Sequence, residues 1–339
     1  MANQREIADR AKTSLKTVSR VINQDPLVNP QTRARIEAII AEIGYEPHQA
    51  ARMMRSQRSN IIGFLADRVA TTSSSIELVR GAQDAAWEHG KQMMLFNIER
   101  GTQSHRNADA QLAAFRAESV IYAARFHQPV TLPPASVPHI LLNCFDPKSR
   151  HHSVVPDDYQ LAETLTKIVM ERGFRRPIFL NLPETIVAAE LRAAAIVATA
   201  RKFGVDMTGR IHTAVFEQRG EVRFAADEIL RPLMAAPVGE RPDLIICGQD
   251  VLAMNVYFVL ADLGLSVGRD VGLASFDNLE PIASLLRPGL STMQLPYYEM
   301  GRAAMLMAIE PPPGPVQVLE LPGRFIERQS LGQQSPLTT

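Results

Sequence analysis

The stretch that decides the fold is SLKTVSRVIN (Ser14–Asn23), read with its flanks QREIADRA (4–11) and NPQTRARIEAIIAEIG (29–44). In the first flank Ile7, Ala8 and Ala11 recur at helical spacing. In the central stretch Val18, Val21 and Ile22 form the next apolar stripe. Ser14 stands ready as a side-chain cap, and only Lys12-Thr13 separates the two helices. Asn29-Pro30 starts a third helix with a capping amide and a proline at the first helical position. Ile36, Ile39, Ile40 and Ile43 are its inner face, and Gly44 ends it. The spacing therefore predicts three short helices. The second presents Leu15, Lys16, Thr17, Ser19 and Arg20 outward. Short polar and basic side chains at a helix N-terminus suit a DNA major groove, where donors meet base edges and the dipole favours phosphate. On these residues alone a solvated helical hairpin fits equally well.

Charge is distributed in keeping with a nucleic-acid head. The 339 residues carry 36 Lys+Arg and 36 Asp+Glu, yet residues 1–60 hold ten basic against six acidic side chains. The remainder is correspondingly acidic, a modest asymmetry that points to polyanion binding at one end. Tyr45 is the one aromatic of residues 1–60, which excludes a base-stacking platform for single strands.

From Asn60 onward the texture becomes strand, helix, strand. IIGFLAD (61–67), KQMMLFN (91–97), SVIYAA (119–124), HILLN (139–143), PIFLNL (177–182), HTAVF (212–216), DLIICG (243–248) and VGLASFD (271–277) read as strands. Helices are expected near 75–90, 105–116, 157–172, 185–203, 219–235 and 250–263. This alternation predicts a parallel α/β fold with both sheet faces covered. Roughly 270 residues exceed one ordinary doubly wound domain, so two subdomains are expected.

The runs TVSRVIN (17–23), TRARI (32–36), IGYEP (43–47) and AARMMR (50–55) together resemble the head of the lactose-repressor (LacI/GalR) family of transcription regulators. The resemblance continues over nearly the whole chain. It implies a helix-turn-helix head with a hinge helix, about residues 1–58, on an α/β core, 59–339, like that of periplasmic sugar-binding proteins. The N-subdomain is expected at about 60–157 and 292–323, and the C-subdomain at about 158–290 and 325–330. The resemblance also implies a dimeric repressor of a double-stranded DNA operator. A small polar effector, most simply a sugar or sugar derivative, would control it from the cleft between the subdomains.

Site residues follow position by position. Leu15, Lys16 and Arg20 stand where the family reads bases, and arginine suits the two acceptors of guanine. Thr17, Ser19, Asn23, Asn29 and Thr32 stand at phosphate positions. Met54 replaces the leucine with which the family wedges a base step in the minor groove, and Arg55 follows it. The family turn Ala-Gly-Val-Ser is Ala11-Lys12-Thr13-Ser14 here, so the turn is expected to be slightly strained or reshaped. In the core, Arg192 and Asp277 stand at the family's ligand-binding arginine and aspartate. Asn143 replaces a frequent acid and Gln249 the usual asparagine, while Ser73, Ser74 and Ser75 open the first core helix on the other wall. Near Glu217 and Gln218 several members carry an aromatic, whereas FEQRGE (216–221) is polar. Asn255 replaces a glycine.

Other function classes find no support. No dinucleotide fingerprint, P-loop or nucleophile elbow occurs, so no catalytic residue is expected. Only Cys144 and Cys247 are present, and His151-His152 lack helical ligand spacing and read as a solvated pair, so no metal or cofactor is expected. No apolar run reaches membrane-span length and no signal peptide is read at the start, so a cytoplasmic protein without membrane contact is expected. The tail LGQQSPLTT (331–339) has no leucine heptads, which disfavours a tail-mediated tetramer.

Overall fold

The computed structural model describes residues 3–22, 24–45, 59–69, 75–134, 136–218 and 221–332. The chain divides into two units, 1–59 and 60–339. In the first, α1 (Gln4–Arg10), α2 (Leu15–Ile22) and α3 (Pro30–Ile43) enclose a small core of Ile7, Ala8, Ala11, Val18, Val21, Val28 and Ile36. Asn3 caps α1 by accepting from the Arg5 and Glu6 amides, each at 3.0 Å. Asn29 caps α3 by accepting from the Gln31 amide at 2.9 Å, and Gly44 closes it in the left-handed region, φ 59°.

The second unit holds two six-stranded sheets. The first takes β1 (Ile61–Asp67), β2 (Gln92–Ile98), β3 (Ser119–Pro129), β4 (His139–Phe145), β5 (His152–Pro156) and β13 (Val318–Leu321), in the order β13-β5-β4-β3-β1-β2. The second takes β6 (Pro177–Asn181), β7 (Ile211–Thr213), β10 (Leu244–Cys247), β11 (Gly272–Asp277), β12 (Ser291–Gln294) and β14 (Arg324–Ile326), in the order β14-β12-β11-β10-β6-β7. Within these two sheets every pairing is parallel except β12 with β14. The central strands are buried along their length, as strands with helices on both faces must be.

The helices α4 (Ser75–Glu88), α5 (Gln103–Ala114) and α11 (Tyr297–Ile309) belong with the first sheet. The helices α6 (Asp158–Glu171), α7 (Val187–Lys202), α8 (Ala226–Met234), α9 (Asp250–Asp262) and the short α10 (Ile282–Leu285) belong with the second. Helices α4 and α11 cross at two glycines. A Cβ on Gly81 would lie 2.0 Å from the Tyr298 carbonyl oxygen, and one on Gly301 would lie 2.0 Å from that of Leu78. Only glycine permits backbones this close.

Three expectations need correction. The helix expected over 219–235 begins at Ala226, because β8 (Val215–Gln218) and β9 (Glu221–Phe224) pair antiparallel as a separate hairpin. The return to the first subdomain, expected at 292, falls after β12. Ser291–Gln294 pair with Ala274–Asp277 of β11, and the chain crosses at Leu295-Pro296. His151-His152 are not a freely solvated pair. His152 opens β5 and its Nδ1 accepts from the Gln317 amide at 3.2 Å, and both rings are half-buried.

Candidate functional site

In the head, the short turn between α1 and α2 keeps the shape that a glycine would give. Lys12 adopts φ 48°, and the Thr13 amide donates to the Ala8 carbonyl at 3.0 Å. An L-residue in this region costs about 1–2 kcal/mol, so the turn is strained rather than reshaped. Ser14 Oγ accepts from the Thr17 amide at 3.1 Å and shares a hydrogen bond with Thr17 Oγ1 at 2.9 Å. Val18 and Val21 are buried in the head core, which turns Leu15 (49% exposed) and Lys16 outward. Ser19 and Thr32 are half-buried. Arg20 is already engaged: its Nε donates to Asp25 Oδ2 at 2.7 Å, and that bond holds the Asp25 carboxyl below the usual carboxylate range. Asn29 spends its side-chain oxygen on the α3 cap. Asn23, Met54 and Arg55 lie outside the described residues, as do Ser73 and Ser74 on the core wall; Ser75 opens α4, and its side chain is not described.

The cleft forms between the C-terminal ends of the two sheets, where parallel α/β folds place ligands. It is a cavity of about 860 Å³, including space open to solvent. The second sheet's wall is built on Arg192. Its guanidinium lies 4.4 Å from the centre of the Phe276 ring and makes hydrogen bonds to Asp158 Oδ1 from Nε at 2.7 Å and to the Gly248 carbonyl from Nη1 at 2.8 Å. Nη2 lies 2.6 Å from Asp158 Oδ1. These contacts occupy three of the five N–H donors of an arginine, which leaves two for a ligand. Gly248 sits where a Cβ would come within 2.9 Å of Leu182, so the strand end is held tight against its neighbour.

Asp158 is fully buried as the first residue of α6 and also lies 2.8 Å from His127 Nδ1 of β3. Burial pushes its carboxyl up, but Arg192 and His127 together pull it below the usual range. Burial lowers the Arg192 pKa, and the nearby Asp158 and Asp277 carboxylates more than reverse that. Asp277 ends β11 with φ 118°, strained for a non-glycine residue, and accepts from the Tyr297 hydroxyl at 3.0 Å. Burial raises the Asp277 carboxyl to about 6, against the opposing pull of Arg192 and Tyr297. Gln249 lines the cleft at the start of α9 and makes no capping bond there.

Asn143 also lines the cavity, but its amide is committed to the scaffold. β3 pairs with β4 through Ala123↔Leu142 and resumes at Gln128↔Cys144, so four residues of β3 face one of β4. Asn143 Nδ2 donates to the Ala124 and Arg125 carbonyls at 3.1 and 3.2 Å, carbonyls that lose their ladder partners in the bulge. An acid at this position could not donate, which is the physical reason for an asparagine here. The side-chain oxygen is the part left for a ligand.

The structure thus brings Arg192, Asp277, Asn143 and Gln249 to one cavity. It adds Arg125, Phe126, His127, Asp158 and Tyr297, which sequence reading did not single out. Asp157-Asp158 at a helix start was the available signal: Asp157 caps α6 by accepting from the Gln160 amide, which releases Asp158 for another use. Glu217 and Gln218 belong to β8 of the hairpin, and their side chains lie outside what the structure describes.

Comparison with known proteins joins both parts of the chain. Residues 4–48 match the model of bacterial regulatory proteins of the lacI family, and residues 166–331 match a periplasmic binding protein-like domain. The sucrose operon repressor of Escherichia coli is 32% identical over 318 residues, covering 91% of this chain and 94% of the repressor. The chain belongs to the LacI family. The ribose operon repressor of Escherichia coli K12, another relative, is 27% identical, covering 97% of this chain and all of that one. Among solved structures, a putative LacI-family regulator from Rhizobium etli superposes with a TM-score of 0.72 at 29% identity, covering 81% of this chain and all of that one. The Lac repressor dimer bound to operator and the anti-inducer ONPF superposes with a TM-score of 0.75 at 21% identity, covering 98% of this chain and 99% of that one, a likeness of fold. The head and the core described above correspond to the two matched domains.

Proposed function

We propose that the protein is a cytoplasmic, operator-binding transcriptional repressor that acts as a homodimer and answers to a small polar effector, a sugar or sugar derivative, in the core cleft. The observation that carries the reading is the pairing, in one chain, of a helix-turn-helix head whose α2 turns Leu15 and Lys16 outward with a polar cleft centred on Arg192. The sucrose and ribose operon repressors named above support the effector class. The head, matched over 4–48, favours DNA regulation over a sugar-binding protein of the same fold. No catalytic role is assigned to the cleft, whose Arg192, Asp158 and Asp277 are tied to one another and to Tyr297.

In this reading Leu15, Lys16 and Arg20 read bases, and Arg20 does so from, or by exchanging, its ion pair with Asp25. Thr17, Ser19, Asn23, Asn29 and Thr32 position the head on phosphates. Met54 wedges the central step of an inverted repeat, with Arg55 beside it. The effector touches Arg192, Asp277 and Gln249 on the second sheet's side of the cleft, and the oxygen of Asn143 with Ser73–Ser75 on the first sheet's side. Its preference for one cleft closure over another is the free energy that shifts operator affinity.

The test is selection of binding sites from random duplexes by gel-shift at about 0.15 M salt, where non-specific phosphate binding is weak. A single inverted repeat is expected. Exchanging Leu15 and Lys16 should change the half-site selected, while Thr32→Ala should weaken every site by a similar factor. Recovery of no common motif would remove the regulatory reading; an unchanged motif after the exchange would remove α2 from the major groove.

A further inference from the structure

We infer that the effector is an anionic polyol, a sugar acid or sugar phosphate, and that Arg125 is the residue that recognises its oxyanion. This rests on the cleft being the effector site. Arg125 lies in the β3 bulge, whose backbone is held by the Asn143 amide. It lines the cavity, is half-buried, and has its guanidinium 4.7 Å from the centre of the Phe126 ring.

The other charged groups of the cavity are matched. Arg192 and His127 share Asp158, and Asp277 takes the Tyr297 hydroxyl and faces the Arg192 charge. Arg125 alone among these makes no hydrogen bond or ion pair with the described residues. A partly desolvated guanidinium without a counter-ion is unfavourable, and the cavity offers no spare carboxylate to supply one. Stacking on Phe126 occupies a face of the guanidinium and leaves its edge donors free. That edge matches two oxygens of a carboxylate or phosphate. Arg192, with two donors left, and Asp277 then take the hydroxyls. A neutral sugar would leave Arg125 unmatched in a closing cleft.

The experiment is calorimetric titration of the full-length protein with matched sets: glucose, glucuronate and glucose 6-phosphate; galactose, galacturonate and galactose 6-phosphate; ribose and ribose 5-phosphate. In at least one set, an anionic member should bind ten-fold or more tightly than its neutral parent. Arg125→Gln should bring that ratio close to one, and Arg125→Lys, which keeps the charge, should retain most of it. Preference for carboxylate or for phosphate names the oxyanion. Tighter binding of a neutral sugar overturns the inference and leaves the effector cleft standing. An anion preference that survives Arg125→Gln overturns the role of Arg125. Binding of none of these compounds, with operator binding intact, overturns both the inference and the sugar reading of the cleft.

Discussion

Arg192 shows how a single side chain serves the fold and the site together. It is 3% exposed and sits against a fully buried Asp158, so its first task is to neutralise that carboxylate. Removing one member of a buried pair typically costs about 3–5 kcal/mol because the other charge is stranded, whereas exchanging both for apolar groups is far milder. Arg192→Met should therefore lower the unfolding free energy by about that amount in urea titration. The double variant with Asp158→Leu should recover most of it. A single variant no less stable than the double would mean that the pair is not coupled. Arg192 is consequently a poor site for separating effector binding from stability, and Arg125, at the edge of the cleft, is the better one. Lys12 makes the complementary point in the head: a strained conformation is retained where a glycine would relieve it, by a residue whose charge is suited to phosphate.

At the scale of elements, the two features that shape the core are a bulge and a crossing. The β3 bulge carries Arg125, Phe126 and His127 to the cleft. Phe126 packs against the hydrophobic core of the second sheet, so the bulge is where the two subdomains meet. The α4–α11 crossing joins a helix from the start of the core to one reached only after both sheets are nearly complete. The Gly301 Cβ position faces backbone rather than a movable side chain. Gly301→Ala should thus force the helices apart and cost at least about 2 kcal/mol, in the range of overpacked cores. Gly239→Ala, where a Cβ meets nothing within 4 Å, is the control and should stay within about 0.5 kcal/mol of the parent. Equal melting temperatures for the two variants would show that the crossing tolerates separation.

At the scale of the whole molecule, a carboxyl buried behind the cleft ties stability to pH. Burial, together with nearby Asp277, raises the Asp250 carboxyl to about 7. The Leu279 amide and the Thr292 hydroxyl bond to it, at 2.7 and 2.8 Å. Unfolded, it titrates near 3.8. Between these values the folded chain holds protons that the unfolded chain has released, so stability falls as pH rises through that window. The melting temperature should drop between about pH 4 and about pH 7. Asp250→Asn, which keeps the acceptor for the Leu279 amide, should flatten the drop and gain roughly 2–5 °C at the upper end. An unchanged slope by calorimetry would place the titration elsewhere.

The helix-turn-helix and the alternating core could be read from the chain because both depend on local periodicity and caps. Val18, Val21 and Asn29 act on neighbours a few residues away, and the buried strands repeat over several residues. Resemblance to the family carried the reading further, to the positions of Arg192 and Asp277, which the structure places on one cavity. Tertiary structure decided what no local rule reaches. Val222 and Phe224 fit a helix or a strand by composition, and pairing with β8 chose the strand. Asn143 stands at a cleft position by sequence, and only the fold shows that the bulge opposite takes its amide and leaves its oxygen to the cavity. Asp158 and Arg192, 34 residues apart, meet where α6 packs on α7, and His127 reaches Asp158 from β3 of the other sheet only when the two subdomains come together. Their partners lie on other elements, so desolvation and pairing, which make such groups matter, exist only in the folded chain.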